Sequence, residues 1–266
     1  ETDIRGNITE DLTLYNLCKS YTIIGDLIVA NGATLTIEPG VQIEFEGPYS
    51  ITVIDGAKLM SLGSEQDSIT ISGISWKGID IKSPGSMIQY TRIIEEGNSS
   101  QGDYLLKLTG SHVDKSHIYG GTKGIQLNDS SIVSRSKIHD IRNEAIQLYQ
   151  RSVAYGNIIY DIGTDMNYDG AVQTYDRSYF LNNKVYSTLD DPNMIAVAAQ
   201  SSGVIAGNTI GSDKGIHGKF GIYVREGGQV EVVGNRIGGF NTNVLLIGTR
   251  PEFKDNTFMG ELDSES

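Results

Sequence analysis

The sequence predicts an all-β protein folded as a right-handed parallel β-helix, a β-solenoid of roughly 10–12 rungs. Three observations predict this fold class. A short phrase recurs along the chain, many short alternating segments are separated by turn residues, and no segment has the pattern of an amphipathic helix of three turns.

The recurring phrase is a small polar residue followed two positions later by an aliphatic or aromatic residue. Its polar members are Ser116, Ser136, Asn157, Asn183, Asn208, Asn235 and Asn256, which are 20, 21, 26, 25, 27 and 21 residues apart. Repeats of roughly 20–50 residues indicate a solenoid in which each repeat forms one rung. We interpret the asparagines as structural residues at bends, because Asn tolerates left-handed backbone geometry and its amide can bond along a ladder.

The first part of the chain contains short strands punctuated by turn dipeptides such as Asn31-Gly32 and Asp55-Gly56. Later segments align without gaps over eight residues, and they begin at Tyr104, Gly124, Ala145, Ala171, Ile195, Gly221 and Asn243. We therefore predict a lead-in or cap over residues 1–21, one β-helix domain over residues 22–260 and an acidic tail over residues 261–266.

Composition excludes several classes of function. The net charge of −12 argues against nucleic-acid binding, which needs basic surface. No run of about 18 apolar residues is present, so no membrane insertion is expected. The chain starts without Met or a signal-peptide pattern, and we expect a mature or excised fragment. The single cysteine, Cys18, is expected to be a small buried hydrophobe.

The repeats resemble the right-handed parallel β-helix of the pectin-lyase-like superfamily, with PbH1-type rungs. Residues 32–45, with the sequence GATLTIEPGVQIEF, resemble the N-terminal rungs of its secreted and cell-surface members, and Trp76-Lys77-Gly78-Ile79 also fits. The resemblance covers most of residues 20–260 and implies an extracellular or cell-surface protein. It leaves the activity open, since this fold hosts lyases, hydrolases, epimerases, adhesins and phage spikes.

The aligned segments predict which side chains share an outward column, because alternate residues of a strand point to opposite faces. One column contains Gln126, Gln147, Gln173, Val197 and Tyr223, and the next contains Asn128, Tyr149, Tyr175, Ala199 and Arg225. A further column contains Arg151 and Arg177. Amides and guanidinium groups bind hydroxyls and carboxylates, and tyrosines stack on sugars. We expect a sugar-binding strip, and an ordinary amide ladder on a solvated face is the alternative.

Insertions of variable length follow the polar phrases and should stack on one edge, beside this strip. The expected substrate contacts are Gln126, Gln147, Gln173, Tyr149, Tyr223, Arg142, Arg151, His217 and Lys219. A lyase or C5-epimerase must neutralise a uronate carboxylate and move the C5 proton, whereas a glycosidase needs two flanking carboxylates. The candidate catalytic residues are Arg225, Tyr175, His139, Arg177 and Asp169.

Asp165, Asn167 and Asp169 alternate like the first ligands of a calcium loop, although the later glycine and glutamate of such a loop are missing. The sequence establishes no cofactor, and Ca²⁺ at this oxygen-rich turn is the one candidate. The four histidines do not show zinc spacing and are expected to be surface residues.

The sequence thus predicts a secreted carbohydrate-active protein that binds an acidic polysaccharide on a lateral face. A stronger form of this hypothesis adds cleavage by a lyase mechanism or epimerisation of the polysaccharide. A non-catalytic adhesin, spacer or spike is the alternative. An ice-binding solenoid is a remote one, because Thr34-x-Thr36 is not extended by later rungs. The oligomeric state stays open.

Overall fold

A computed structural model describes residues 2–17, 20–97, 104–163, 170–187, 193–212, 218–225, 229–247 and 251–259. These ranges contain strands and turns but no helix. In chain order the strands are β1 (Thr2–Ile8), β2 (Leu12–Leu14), β3 (Tyr21–Val29), β4 (Thr34–Ile37), β5 (Gln42–Phe45), β6 (Ile51–Val53), β7 (Lys58–Leu62), β8 (Ile69–Gly73), β9 (Ile79–Ile81), β10 (Met87–Gln89), β11 (Thr91–Glu95), β12 (Tyr104–Thr109), β13 (His112–Asp114), β14 (His117–Gly120), β15 (Lys123–Asn128), β16 (Ile132–Ser134), β17 (Lys137–Ile141), β18 (Ile146–Leu148), β19 (Val153–Tyr155), β20 (Ile158–Ile162), β21 (Val172–Thr174), β22 (Ser178–Leu181), β23 (Lys184–Ser187), β24 (Ile195–Ala199), β25 (Ser202–Ala206), β26 (Thr209–Ser212), β27 (Gly218–Val224), β28 (Gln229–Val233), β29 (Arg236–Gly238), β30 (Phe240–Leu246), β31 (Glu252–Lys254) and β32 (Thr257–Met259).

The strands form three parallel ladders, which we name A, B and C. Ladder A contains β1, the first half of β3, and then β5, β8, β11, β14, β17, β20, β23, β26, β29 and β32. Ladder B contains the second half of β3, and then β6, β9, β12, β15, β18, β21, β24, β27 and β30. Ladder C contains β2, β4, β7, β10, β13, β16, β19, β22, β25, β28 and β31.

Each rung visits the three ladders in turn, as β14, β15 and β16 do before β17 begins the next rung. Ladder C stacks eleven strands within the described residues. The parallel β-solenoid predicted from the sequence is therefore confirmed, with three strands per rung.

The core is a set of aliphatic columns that run along the axis of the solenoid. On ladder A the inward column includes Ile118, Ile138, Ile159, Val185, Ile210 and Ile237, and on ladder B it includes Ile125, Ile146, Val172, Val197 and Ile222, each 1% exposed or less. Burying one such side chain contributes about 1.5–3 kcal/mol. The columns place outward side chains of neighbouring rungs in register.

The polar members of the recurring phrase form a buried ladder at the corner between ladders C and A. The side-chain oxygens of Asn183, Asn208 and Asn235 each accept hydrogen bonds from the backbone and side-chain nitrogens of the asparagine one rung earlier, at 2.8–3.1 Å. The left-handed backbone falls on the preceding residue, as in Arg135 (φ 49°) and Asn182 (φ 52°), and not on the asparagines themselves.

The first rung starts inside the segment predicted as a lead-in, because β1 pairs with β3 and β2 pairs with β4. Ile8 and Leu14 of this segment are buried. Across the ranges given above, the chain contains no helix with the length and apolarity that a membrane span requires.

Candidate functional site

The predicted glutamine column is present on the outer face of ladder B. Gln126, Gln147 and Gln173 lie opposite one another on β15, β18 and β21. The next member is Ala198 and not Val197, and Tyr223 follows it. The alignment of the repeats was shifted by one residue at this strand. Residues 195–199 are all apolar, so the alternation of polar and apolar residues could not distinguish inward from outward positions.

The same shift changes the neighbouring column. Gln200 bonds through its backbone nitrogen to Thr174, so it follows Tyr175, while Ala199 points into the core opposite Thr174. Arg225 comes next, since its backbone nitrogen donates to Ala199. Gln200 therefore replaces Ala199 in the predicted column of Tyr149, Tyr175 and Arg225.

The three glutamines form a hydrogen-bonded chain. Gln126 Nε2 donates to Gln147 Oε1 at 3.3 Å, and Gln147 Nε2 donates to Gln173 Oε1 at 2.9 Å. Gln173 Nε2 in turn donates to Glu144 Oε1 at 3.3 Å. Gln147 is 8% exposed and Gln173 only 1%, so these two side chains lie on the outer face but beneath other groups.

Tyr149 and Tyr175 cover the glutamines. The Tyr149 hydroxyl donates to Gln147 Oε1 at 3.1 Å, and the Tyr175 hydroxyl donates to Gln173 Oε1 at 2.7 Å. Their rings stack on each other with centroids 4.5 Å apart. We name Gln126, Gln147, Gln173, Tyr149 and Tyr175 the glutamine–tyrosine strip. Because the two tyrosine rings stack on each other, a ligand could contact only the outer face of one ring and the edges of both.

A salt bridge borders this strip on the side of ladder A. Lys123 Nζ lies 3.2 Å from Glu144 Oε2 and 5.3 Å from the centre of the Tyr104 ring. Glu144 is buried, so its charge is held by Lys123 and by the amide of Gln173. This pairing anchors the glutamine chain at one end.

Two arginines border the strip on the side of ladder C. Arg151 and Arg177 occupy the same position of successive turns, both with left-handed backbone (φ 63° and 61°) and exposed side chains. They line an open cleft of about 640 Å³ together with Asp129, Ser130, Gln150, Asp176 and Ser202. No ion pair joins either arginine to another residue within the ranges that the structure describes, so both guanidinium groups can meet an anion.

The strand ends that flank the variable connections lie at the edge between ladders A and B, beside the strip, while residues 164–169, 188–192 and 213–217 lie outside the described ranges. The four connections that follow β17, β20, β23 and β26 each join ladder A to ladder B. They span residues 142–145, 163–171, 188–194 and 213–217, which is 4, 9, 7 and 5 residues. Arg142 is exposed at this corner, where Glu95, Asp140 and Asp161 also line a cavity of about 320 Å³.

The remaining predicted residues are spread over several places. Lys219 lies on β27, and Arg225 directly follows that strand. His139 lies on β17 of ladder A, whereas Tyr175 and Arg177 follow β21 of ladder B. Four predicted residues lie outside the described ranges, namely His217, Asp165, Asn167 and Asp169. Within those ranges, no three His, Cys, Asp or Glu side chains converge as metal ligands.

His139 belongs to a second set of aromatic side chains that the sequence reasoning missed. Tyr119, His139, Tyr160 and Tyr186 stack along the outer face of ladder A, with centroids 5.0, 4.5 and 5.3 Å apart. His117 packs against Tyr119 and His139. We name these five residues the histidine–tyrosine strip. The signal was available, since an aromatic ring follows three positions after the polar residue in four successive repeats.

Charged groups surround this second strip. The Arg92 guanidinium donates to the Tyr119 hydroxyl at 2.9 Å, and His139 Nδ1 lies 2.6 Å from Asp140 Oδ2. Burial, together with the nearby His139, Arg92 and Lys137, lowers the pKa of His117 to about 4. Burial and the neighbouring Tyr186 and acidic groups raise the pKa of Tyr160.

No protein-family profile matches the chain, and no match is found among curated protein sequences. Solved structures do match its fold. A single-site mutant of the periplasmic alginate epimerase AlgG aligns with a TM-score of 0.50 and 13% identity, covering 90% of this chain and 75% of that chain. The A-module of Azotobacter vinelandii mannuronan C-5 epimerase AlgE6 aligns with a TM-score of 0.42 and 12% identity, covering 97% and 88%. The catalytic domain of a GH87 α-1,3-glucanase aligns with 0.39 and 11%, covering 95% and 60%. The alignment with a TM-score of 0.50 supports the β-helix fold and nothing beyond the fold.

Proposed function

We propose that this chain is a carbohydrate-binding β-helix protein that binds an acidic polysaccharide along the outer face of ladder B, outside the cell. The observation that carries the proposal is the pair Arg151 and Arg177, which lie exposed on successive turns beside the stacked rings of Tyr149 and Tyr175. A polyuronate presents one carboxylate per sugar along a chain, and stacked arginines match such a repeating anion.

The hydrogen bonds of the strip suggest which of its side chains position others and which would contact a sugar. Each tyrosine donates its hydroxyl proton inward to a glutamine oxygen, and this hydrogen bond fixes the orientation of its ring on the strip. The side-chain oxygens of Gln147 and Gln173 each accept two hydrogen bonds, one from a tyrosine and one from another glutamine. We therefore assign the glutamines to positioning the tyrosines, and Tyr149, Tyr175, Arg151 and Arg177 to sugar contact.

The overall charge of −12 opposes an acidic ligand at long range, and Asp129 and Asp176 line the same cleft. The arginines act at short range, where a charge-assisted hydrogen bond outweighs a screened field. The aspartates supply acceptors for sugar hydroxyls. The solved structure that aligns at a TM-score of 0.50 is named as an alginate epimerase, which supports the proposal as an analogy of fold only.

If the strip also carries out chemistry, its groups fit proton abstraction at a uronate. Arg177 would neutralise the carboxylate, and Tyr175, two residues before it in the chain, would be the proton-transferring group. His139 lies on ladder A and would take no part in that step. Elimination would produce an unsaturated uronate that absorbs ultraviolet light, whereas epimerisation would change only the stereochemistry at C5.

The test is calorimetric titration of the purified chain with alginate and pectate, and with a neutral glucan for comparison. We expect binding to a polyuronate and not to the glucan. Arg177→Gln and Tyr175→Ala should each weaken binding about tenfold or more. The matched controls are Arg236→Gln and Tyr155→Ala, which remove an exposed arginine and an exposed tyrosine from other faces.

Two outcomes would overturn the proposal. The first is no binding to any polyuronate by the folded wild-type chain. The second is binding that the strip variants leave unchanged, which would place the ligand elsewhere. Ultraviolet absorbance and proton NMR of the incubated polysaccharide then separate a binding protein from a lyase or an epimerase.

A further inference from the structure

His117 and His139 face each other across two neighbouring rungs of ladder A. His117 lies on β14 opposite Lys137, and His139 lies on β17 opposite Tyr119, so the two histidines are diagonal neighbours. The intervening Ile118 and Ile138 point into the core, which places both imidazoles on the outer face. The Nε2 atoms of the two rings are in direct contact.

A carboxylate fixes the proton of one of these rings. Asp140 Oδ2 lies 2.6 Å from His139 Nδ1, so that nitrogen carries the proton and His139 Nε2 presents a lone pair. His117 Nε2 points at the same place, and within the described residues its Nδ1 has no hydrogen-bond partner. Moving the proton of His117 to Nδ1 therefore breaks no other contact and leaves two nitrogen lone pairs directed at one point.

We propose that His117 and His139 form a binding site for a divalent transition-metal ion that prefers imidazole, such as Zn²⁺, Ni²⁺ or Cu²⁺. Asp140 is the positioning residue that orients His139, an arrangement that recurs behind metal-binding histidines. Zinc–nitrogen bonds of about 2.0–2.1 Å in tetrahedral geometry hold two ligand nitrogens about 3.3 Å apart. The rings must separate slightly to admit the ion, and water completes its coordination.

The surroundings set the expected strength of the site. With two protein ligands, it is weaker than a closed structural zinc site, since no third side chain among the described residues converges on it. The positive charges of Arg92 and Lys137 oppose a cation, and Asp140 favours it. The site lies on ladder A, so it does not depend on the function proposed for ladder B.

The experiment is isothermal titration of the chelator-treated chain with ZnCl₂ and NiCl₂ at about pH 8, above the ordinary histidine pKa of about 6.5. We expect one ion per chain, and we expect CaCl₂ neither to bind there nor to compete, because calcium prefers oxygen ligands. His117→Ala and His139→Ala should each abolish binding. Asp140→Asn, which keeps a residue tolerant of the φ of 52°, should weaken it about tenfold.

Two further variants serve as controls. His112→Ala removes a histidine from ladder C and should leave zinc binding unchanged. Lys137→Ala removes a repelling charge and should strengthen it. Failure of the wild-type chain to bind Zn²⁺ or Ni²⁺, or binding that survives both ladder A histidine substitutions, would overturn the proposal.

If a histidine variant does not fold, imidazole ¹⁵N resonances of the wild-type chain provide the same test. On adding Zn²⁺, the Nε2 signals of His117 and His139 should shift together, while those of His112 stay in place. A shift of neither Nε2 signal would also refute the site.

Discussion

The side-chain oxygen of Asn183 accepts two hydrogen bonds from Asn157 on the preceding rung, one from the backbone nitrogen and one from the side-chain amide, each at 2.9 Å. Asn183 also donates to the backbone oxygen of Ala154 at 3.0 Å. Both asparagines are about 1% exposed. One amide thus satisfies backbone groups of neighbouring strands at a corner where the ladder hydrogen bonds are interrupted.

Replacement of this asparagine should therefore destabilise the fold. Asn183→Ala leaves the buried backbone nitrogen of Asn157 without a partner, and the free energy of unfolding should fall by about 1–3 kcal/mol. Asn7→Ala, at an exposed position of β1, should change it by less than about 0.5 kcal/mol. Urea titration followed by circular dichroism measures both. Equal values for the two variants would contradict the structural role of the amide.

The inward columns of ladder B give a second prediction. Ile146 is fully buried, and Ile146→Ala should lower the free energy of unfolding by about 2–5 kcal/mol. Ile132 is the matched control, since it lies on the outer face of ladder C and is partly exposed. Ile132→Ala should cost much less in the same urea titration. A larger effect at Ile132 would mean that the assignment of faces is wrong.

A third prediction concerns the ion pair between Arg135 and Asp114. Arg135 Nε and Nη2 donate to the two carboxylate oxygens of Asp114 at 2.8 and 2.7 Å, and Asp114 is buried. Arg135→Ala should lower the urea midpoint because it leaves the carboxylate without its cation. Lys115→Ala controls for backbone strain, since Lys115 has nearly the same φ (47° against 49°). A similar loss in both variants would exclude a contribution from the ion pair.

The same network predicts a dependence of stability on pH. Burial lowers the pKa of His112, with Asp114 opposing and Arg135 adding to the shift. The imidazole of His112 therefore binds a proton more readily in the unfolded chain than in the folded one. As a result, the free energy of unfolding has its full value above about pH 6.5 and decreases as the pH falls below it. His112→Gln should reduce the slope of the urea midpoint against pH between about pH 7 and pH 5, and the slope that remains is expected from His117, whose pKa is also lowered. An unchanged slope would show that His112 titrates equally in both states.

Asp114 acts in a lower pH range. Burial by itself would raise the pKa of Asp114, but hydrogen bonds from Arg135 and Ser134 and the charge of Arg135 lower it. Its contribution is therefore present above the unfolded value of about 3.9 and is lost below it. The two residues can thus be distinguished by the pH at which stability declines.

Most of the fold could be predicted from the spacing of the sequence repeats. The spacing of residues such as Ser136 and Asn157 predicted rungs, and β3 to β6 followed alternating patterns that were visible before any coordinates. Strand β7 was missed because its buried positions are Leu59 and Ser61, and a buried serine breaks the apolar alternation. Its hydroxyl bonds to Thr91 at 2.8 Å, a partner 30 residues away that no local pattern reveals.

The site was less accessible from sequence. The alignment placed Gln147 and Gln173 in one column, but their burial depends on tyrosines folding back over them, a choice of side-chain rotamer. His139 and Tyr175, which were grouped together from the sequence, lie on different ladders. Both lie near the variable connections in sequence, yet the corner at residues 142–145 turns the chain from ladder A to ladder B between them.

The connections between ladders A and B differ in length while the strands on either side keep their register. The length of a connection at that edge is thus independent of how the rungs stack, as the length of a hypervariable loop is independent of the scaffold that carries it. New segments grafted there would change what the rod recognises and leave its pitch untouched.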